Sequence, residues 1–352
     1  MVRHAAAIDI GGTFTDAVLL SSDGSAFVDK TLTTHHDLLE GFFRALDLVL
    51  GKAGIEAAAI DDVVVHATSV VTNALIERKG PPTALIATEG FRDVLEIRDE
   101  HRYDMYDPQI EYPEPLVPRA LTYTVAERTY ADGSVGRGVD PDEVAAIARA
   151  ARAAGVRSIA VCLLNSYANP ANERAVAVAL AAAAPDLYVS LSSDIAPQMR
   201  EYPRTSTTAI NAFTRPITEP YLTALAEELA RRGVRNRPLI MLSSGGLIGA
   251  ATAAAMPVRM IESGPAAGAL VASHLARRHG LSAMMSFDMG GTTAKACLIQ
   301  GYEPLVSGHF EVDRRYRFKP GSGMPVALPS IDMIEIGAGG GSIARVNALG
   351  LL

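Results

Sequence analysis

The sequence lacks the signatures of several large classes of protein. It has only two cysteines, Cys162 and Cys297, and both lie in apolar runs, so we expect buried thiols rather than a disulfide or a metal site. It has no apolar run long enough for a membrane helix and no leader-like N-terminus, which predicts a cytoplasmic protein. Its formal net charge of −7 disfavours nucleic-acid binding, which requires a basic surface.

Several catalytic motifs are also missing. The chain contains no Gly-x-x-x-x-Gly-Lys-Ser/Thr loop, no His-Glu-x-x-His, no Cys-x-x-Cys pair and no Gly-x-Ser-x-Gly elbow. The eight histidines have no metal-binding spacing. These absences exclude the P-loop class and the commonest zinc and serine hydrolases, while the length of 352 residues is sufficient for two domains.

The first positive signal is a strand–turn–strand pattern at residues 7–20, built around Asp-x-Gly-Gly-Thr. A carboxylate at the end of a buried strand is costly without a partner, and a hydrated divalent cation is a suitable one. The two glycines let backbone N–H groups approach phosphate oxygens, and the neighbouring hydroxyls add polar contacts. The candidate residues in this hairpin are Asp9, Gly11, Gly12, Thr13, Thr15 and Asp16.

The same pattern recurs at residues 285–299. One copy alone is equally compatible with an ordinary glycine-turn hairpin, but two copies favour a site that holds a polyphosphate and its metal between two domains. The candidate residues in the second hairpin are Asp288, Gly290, Gly291, Thr292 and Thr293.

Between the hairpins, helices and strands alternate, which predicts a parallel or mixed sheet covered by helices. Residues 66–80 are interpreted either as simple helix capping or as a polar loop over the cleft. Residues 101–119, rich in Tyr, Asp and Pro, are either a surface loop, which we favour, or part of a substrate lid. The polar run at 193–212 is either redundant N-capping or a wall that faces substrate, and a helix is predicted from Glu219 to Gly233.

A glycine-rich run at 337–342 follows the last predicted strand. Ser342 stands where a dinucleotide-binding motif requires its last glycine, so a Rossmann site is disfavoured. We expect a flexible loop near phosphate or substrate, with Gly339 and Gly340 as candidates, and a plain linker is the alternative.

Together these motifs resemble the hydantoinase A/oxoprolinase family, which includes 5-oxoprolinase, N-methylhydantoinase and the ATP-using subunits of acetone and acetophenone carboxylases. The resemblance implies an α/β fold of the actin and sugar-kinase type, with mixed sheets flanked by helices in two domains. We place the domains at residues 1–200 and 201–352. The matching segments are 9–16, 68–80, 90–93, 200–206, 263–268, 288–293 and 336–342.

The resemblance implies that ATP phosphorylates the carbonyl oxygen of a cyclic amide so that water can open the ring. Asp9 and Asp288 are expected to hold Mg²⁺ through water, with Asp16 as a third carboxylate. Asn73, Arg92 and Arg204 are the candidates for substrate contact. A separate B-type subunit is the expected partner, and homo-oligomerisation stays open. The alternatives are a ketone carboxylase subunit and a non-catalytic actin-like nucleotide-binding fragment.

Two features depart from the family pattern. Lys295 stands where many members carry an acidic residue; its charge either compensates phosphate or points to solvent. Family members are also about twice as long, so the second domain is expected to be incomplete and the adenine site is not predicted.

Overall fold

Helices and strands alternate along most of the chain in the computed structural model, which describes residues 2–291, 293–316 and 318–350. The helices are α1 (Leu38–Ala53), α2 (Val70–Ile76), α3 (Val94–Ile97), α4 (Pro141–Ala153), α5 (Ala171–Ala183), α6 (Ser192–Ile195), α7 (Glu201–Arg231), α8 (Ala250–Ala255) and α9 (Ser263–His279). The strands are β1 (His4–Ile10), β2 (Phe14–Ser21), β3 (Ala26–Leu32), β4 (Val64–Thr68), β5 (Thr83–Thr88), β6 (Thr122–Val125), β7 (Arg128–Thr129), β8 (Val135–Arg137), β9 (Ser158–Cys162), β10 (Tyr188–Leu191), β11 (Leu239–Met241), β12 (Leu247–Gly249), β13 (Ala283–Met289), β14 (Ala294–Gln300), β15 (Glu303–Pro304), β16 (Val306–Ser307), β17 (Phe310–Val312), β18 (Met324–Val326), β19 (Ser330–Ile331) and β20 (Ile334–Ile336).

The first sheet contains the first predicted hairpin, in the order β12-β11-β4-β1-β2-β3. Strands β1 and β2 are antiparallel, whereas β4 runs parallel to β1 along its other edge. Helix α1 covers one face of this sheet, with Phe42 and Leu46 in the same core as Ile8 and Ile10. The Asp37 carboxylate caps the start of α1, accepting hydrogen bonds from two backbone N–H groups.

The second sheet consists of parallel strands in the order β10-β9-β5-β6. Helices α4 and α5 pack on it through a separate apolar core. As predicted, Asp140 caps α4 and Pro141 occupies its first position. The helix–strand alternation in the sequence therefore did specify a parallel, helix-covered sheet.

The third sheet contains the second predicted hairpin: β13 pairs with β14, and β14 also pairs with β15 and β20. Helix α9 packs on β13 and β14, and it also contacts β4 of the first sheet. It thus connects the two hairpin-bearing sheets.

The predicted domain boundary at residue 200 does not separate the sheets. Strands β11 and β12 lie after this boundary in the sequence, yet β11 pairs with β4 and completes the first sheet. The sheet with the second hairpin begins only after α9. The first sheet thus recruits strands from two distant stretches of chain, and the division into domains at residue 200 stays a prediction.

Helix α7 is longer than predicted. It begins at Glu201 and continues through Pro216 and Pro220, so the polar run after Glu201 is helical. Its buried hydroxyls bond carbonyls of the same helix: Thr208 donates to Arg204 O at 2.8 Å and Thr214 to Ile210 O at 2.8 Å. No helix in the described part of the chain, α7 included, is long and apolar enough to cross a membrane.

Candidate functional site

The turns of the two hairpins lie beside each other. A Cβ placed on Gly291 would come within 4.0 Å of Thr13 Oγ1, so the second turn almost touches the first. The turns are also closed in the same way: Gly11 N donates to Phe14 O at 3.0 Å, and Gly290 N to Thr293 O at 2.9 Å. Two segments remote in sequence therefore meet at one cleft.

Three carboxylates concentrate negative charge at this cleft. Asp9 is directly opposite Asp16 on the antiparallel strands, so both side chains lie on the same face of the first sheet. Burial by surrounding protein atoms, and then the charges of Asp16 and Asp288, raise the pKa of Asp9 to about 6, although Asp9 keeps one side open to solvent. Mutual repulsion between carboxylates is the situation that a bound cation relieves.

The first turn of α9 forms the wall next to Asp9. A Cβ on Gly264 would lie 3.3 Å from Asp9 Oδ1 and 3.4 Å from Oδ2, so a larger residue there would crowd the carboxylate. Glu262, which lies immediately before the first residue of α9, has a left-handed backbone with φ of 64°. The proximity of Gly264 to Asp9 depends on the tertiary fold and could not be predicted from the local sequence.

Lys295 does not point to solvent, which excludes one of its two predicted roles. It lies directly opposite Asp288 in the β13–β14 pair, its side chain is 15% exposed, and its ammonium group forms an ion pair with Glu262. A cation thus stands beside the second carboxylate. Whether it compensates phosphate charge stays a prediction.

The glycine-rich run approaches the second hairpin. Gly340 N donates to Gly290 O at 3.0 Å, and Gly339 N bonds Ser342 Oγ at 3.0 Å. This contact favours the loop beside the phosphate turn over a plain linker. Of the candidates in the second turn, Thr292 lies outside the described residues.

Thr15 does not line the cleft. It is fully buried on the opposite face of β2 from Asp16, and its hydroxyl lies 3.2 Å from that of Thr33. Adjacent residues in a strand point to opposite faces, so Asp16 and Thr15 cannot both face the same ligand through their side chains. We therefore remove Thr15 from the candidates.

Of the three residues predicted to contact substrate, the structure places Arg204 in the interior and Arg92 at the second sheet. The Arg204 guanidinium is fully buried, donating to Gln198 O at 2.9 Å and Leu163 O at 3.0 Å. Arg92 donates to the carbonyls of Arg119 and Thr122. Both therefore hold backbone in place, and the prediction of substrate contact is wrong for Arg204.

Asn73 lies near the end of β1 and stays a candidate. Its amide donates to Ser69 Oγ at 3.1 Å, and that hydroxyl donates to the carbonyl of Ile10, the residue before the first glycine turn. This places the half-buried α2 on the same side of the sheet as the hairpin turn, in agreement with the interpretation of residues 66–80 as a segment at the cleft.

His66, to which the sequence analysis gave no role, supports the strand that carries Asp9. It is fully buried; its Nδ1 lies 3.0 Å from the Ile8 carbonyl and its Nε2 2.8 Å from the Tyr221 hydroxyl. Because a carbonyl only accepts, Nδ1 carries the proton and Nε2 accepts from Tyr221. Burial lowers the pKa of His66 to about 4.

We expect His66 to make folding stability depend on pH. The pKa of His66 is 6.5 in the unfolded chain and about 4 in the folded chain. In the pH range between these two values, His66 binds a proton in the unfolded chain but not in the folded chain. The free energy of unfolding therefore falls as pH falls through this window, by at most about 3 kcal/mol. Denaturant titrations from pH 7 to 4 on wild type and His66→Gln measure this, since the variant should lose that part of the slope. Equal slopes would contradict a neutral buried imidazole.

The described residues contain no cluster of three or more His, Cys, Asp or Glu side chains arranged as a ready-made metal site. Asp9, Asp16 and Asp288 are near enough to interact electrostatically without forming such a cage.

The duplicated hairpins on two sheets, with a helix between them, define the actin-like ATPase fold. The nucleotide-free structure of acetone carboxylase has this fold with a TM-score of 0.85 and 27% identity, over 100% of this chain and 50% of that one.

The chain belongs to the hydantoinase/oxoprolinase family. The model of the family's N-terminal region matches residues 5–184, and the hydantoinase/oxoprolinase model matches residues 204–352. Caprolactamase subunit alpha of Pseudomonas jessenii is 33% identical over 99% of this chain and 50% of its own length. 5-Oxoprolinase 1 of Arabidopsis thaliana is 29% identical over 95% of this chain and 28% of its own length. This chain thus spans half or less of those relatives.

Proposed function

We propose that this chain supplies the nucleotide site of an ATP-dependent enzyme that opens a cyclic amide. The observation that carries the proposal is the meeting of Asp9, Asp16 and Asp288 between two glycine turns. Phosphates require backbone N–H donors at close range, and the turns at Gly11–Gly12 and Gly290–Gly291 are built without side chains that would block them.

The residues present fit Mg²⁺ and ATP. Carboxylates are the hard oxygen ligands that Mg²⁺ prefers. Burial, and then the charges of Asp16 and Asp288, raise the pKa of Asp9, and a bound cation would offset the repulsion among these three carboxylates. Asp9 and Asp288 would hold the ion through water. Gly12 has open space around it, since a Cβ placed there would meet no atom beyond its chain neighbours within 4 Å, so a phosphate can approach its backbone. When bound, the ion would neutralise charge on the transferred phosphoryl group.

The amide carbonyl is a poor electrophile, and phosphorylation of its oxygen supplies a leaving group. In this proposal the carbonyl oxygen attacks the γ-phosphorus and ADP leaves. One water then adds to the activated carbon, and the C–N bond breaks, which releases the amine and leaves an acyl phosphate. A second water cleaves the acyl phosphate to a carboxylate and phosphate. The protein's part is to position the groups and to compensate charge, with Lys295 placed beside Asp288 for the second task. Asn73 is the substrate contact that we retain.

A ketone carboxylase subunit is the second candidate, because acetone carboxylase has the same fold. For either function we propose a separate subunit as partner, since the caprolactamase relative is named as subunit alpha of its enzyme, and we propose a cytoplasmic location. An actin-like nucleotide-binding protein without small-molecule chemistry would bind Mg-ATP but show no substrate-dependent phosphate release.

Mg-ATP binding by wild type, Gly264→Ala and Gly268→Ala tests the site. Ligand binding should raise the melting temperature of wild type. The methyl group at residue 264 would crowd the Asp9 carboxylate, so we expect a smaller shift, whereas residue 268 on the same helix has open space and serves as the matched control. Equal shifts in all three proteins would place the nucleotide elsewhere. Phosphate release with the partner subunit present, measured with cyclic amides and with ketones plus bicarbonate, then separates the two enzymatic functions.

A further inference from the structure

Three arginine side chains bury a guanidinium nitrogen that has no hydrogen-bond partner in the part of the chain that the structure describes. They are Arg98, Arg204 and Arg259. Arg98 and Arg204 donate to backbone carbonyls through their other nitrogens. The guanidinium of Arg259, in contrast, forms no hydrogen bond or ion pair with any described residue. Its charge is therefore not used by the described part of the protein.

The position of Arg259 in its turn keeps the side chain out of the apolar core. Val258 and Met260 on either side of it are fully buried in the core of the first sheet, whereas Arg259 is half-buried. Its Nε is nevertheless enclosed by protein without an acceptor. A buried N–H group in this state costs free energy, and a charged one costs more. Such a group requires an explanation, and an acceptor that a ligand brings is one.

The backbone of Arg259 is fixed at the edge of the first sheet where the parallel strands end. Strands β1 and β11 both pair in parallel with β4, so all three end at the same edge. Ser243, which lies just beyond β11, donates to Arg259 O from its N at 2.8 Å and from its Oγ at 2.7 Å. Open α/β sheets bind ligands at this edge. Two strand spacings of about 4.8 Å each separate β11 from β1, the strand that carries Asp9.

The segment that follows Arg259 leads to the second hairpin. Glu262 forms an ion pair with Lys295 of β14, and its backbone N–H donates to Thr72 Oγ1 of α2 at 3.3 Å. The stretch from residue 259 to residue 262 therefore runs from the end of β11 to the second hairpin. It passes the same cleft that Asp9 faces.

Lys295, a second cation at the cleft, already has acidic neighbours. It pairs with Glu262, and its partners in the strand register are Asp288 of β13 and Glu335 of β20. Directly paired residues of neighbouring strands lie on the same face of a sheet. A polyphosphate would bring further negative charge to this cleft. Lys295 alone is therefore not sufficient to balance it.

We infer that Arg259 binds the terminal phosphate of the nucleotide. This inference rests on the proposed function and adds a phosphate-binding residue to it. The planar guanidinium presents paired N–H donors that match two phosphate oxygens. Contact with the γ-phosphate supplies the acceptor that the buried Nε lacks. The positive charge also offsets the repulsion between the phosphoryl group and the aspartates, and it stabilises the charge that is spread over that group during transfer.

Calorimetric titration of wild type, Arg259→Met and Arg259→Lys with Mg-ATP and with Mg-ADP tests the inference. Arg259→Met should weaken Mg-ATP binding at least about tenfold and change Mg-ADP binding by less than about twofold, because ADP lacks the terminal phosphate. Lysine keeps the charge without the planar fork, so Arg259→Lys should recover part of the lost affinity. Arg278→Met is the matched control, since it removes the same charge from an exposed position near the end of α9. It should bind both nucleotides like wild type.

The melting temperature without ligand separates this role from a structural one. Arg259→Met removes a buried donor that has no acceptor, so the ligand-free variant should melt at or above the wild-type temperature. If it does not fold, Arg259→Lys takes its place and should still bind Mg-ATP less tightly than wild type. A lower melting temperature in both variants would assign Arg259 a structural role and overturn the inference.

The titrations also distinguish failure of the inference from failure of the proposed function. Unchanged Mg-ATP affinity in Arg259→Met, or equal weakening of Mg-ATP and Mg-ADP binding, would overturn the inference and leave the proposed function standing. If wild type binds neither nucleotide, the proposed function fails, and the inference fails with it.

Discussion

Asp9→Asn is expected to abolish the stabilisation of the chain by Mg-ATP. In wild type, a nucleotide concentration of about 100 times Kd should add roughly 2.7 kcal/mol to the free energy of unfolding. The variant lacks the carboxylate that we place next to the metal, so its melting temperature should not respond. Thermal melts with and without Mg-ATP measure this, with Asp186→Asn as the control, since Asp186 is exposed at the second sheet.

The same variant should be at least as stable as wild type without ligand at pH 7. Because its surroundings raise the pKa of Asp9 to about 6 from 3.8, the folded chain binds a proton more readily than the unfolded chain. Stability from this group is therefore present at low pH and is lost as pH rises through about 6. Asparagine has no carboxyl group to ionise, so the variant does not lose this stability as the pH rises. A ligand-free variant that melts well below wild type would mean that Asp9 has a structural role.

Arg204→Met should destabilise the fold by about 3 kcal/mol, because it removes the hydrogen bonds that the buried guanidinium donates to the carbonyls of Gln198 and Leu163. The guanidinium also lies over the Tyr167 ring, with 5.3 Å between Cζ and the ring centroid, and that contact is lost as well. Denaturant unfolding measures the change, and Arg92→Met is the control, since Arg92 donates to backbone at a more exposed position. Unchanged stability combined with a raised KM for the amide would restore Arg204 as a substrate contact.

The hairpins could be predicted because each is encoded locally. Alternating apolar residues, a carboxylate and two glycines occupy one short stretch, and the structure confirms both strand pairs. The duplication of the hairpin also predicted that the two turns lie together. The proximity of Gly291 to Thr13 agrees with this prediction. The strand period also contained information that the prediction ignored: Thr15 and Asp16 are neighbours, so one of them had to face the core.

Other features depend on contacts that local sequence does not reveal. The two prolines in α7 are normally signs of a helix end, yet the surrounding core holds this helix continuous. Arg204 looks like a surface cation in the sequence, and only its contact with Leu163, which follows β9 far away in the sequence, shows that it is internal. The same holds for Gly264, whose proximity to Asp9 follows from the packing of α9 between two sheets.

Helix α9 has a mechanical consequence for the molecule. An α-helix of 17 residues is a stiff rod about 25 Å long. Its leading end abuts the cleft at Gly264, and near its trailing end Arg277 forms an ion pair with Glu303 at the rim of the third sheet. We therefore expect a ligand that displaces Gly264 to displace the rim at Glu303 as well, since a stiff helix joins the two.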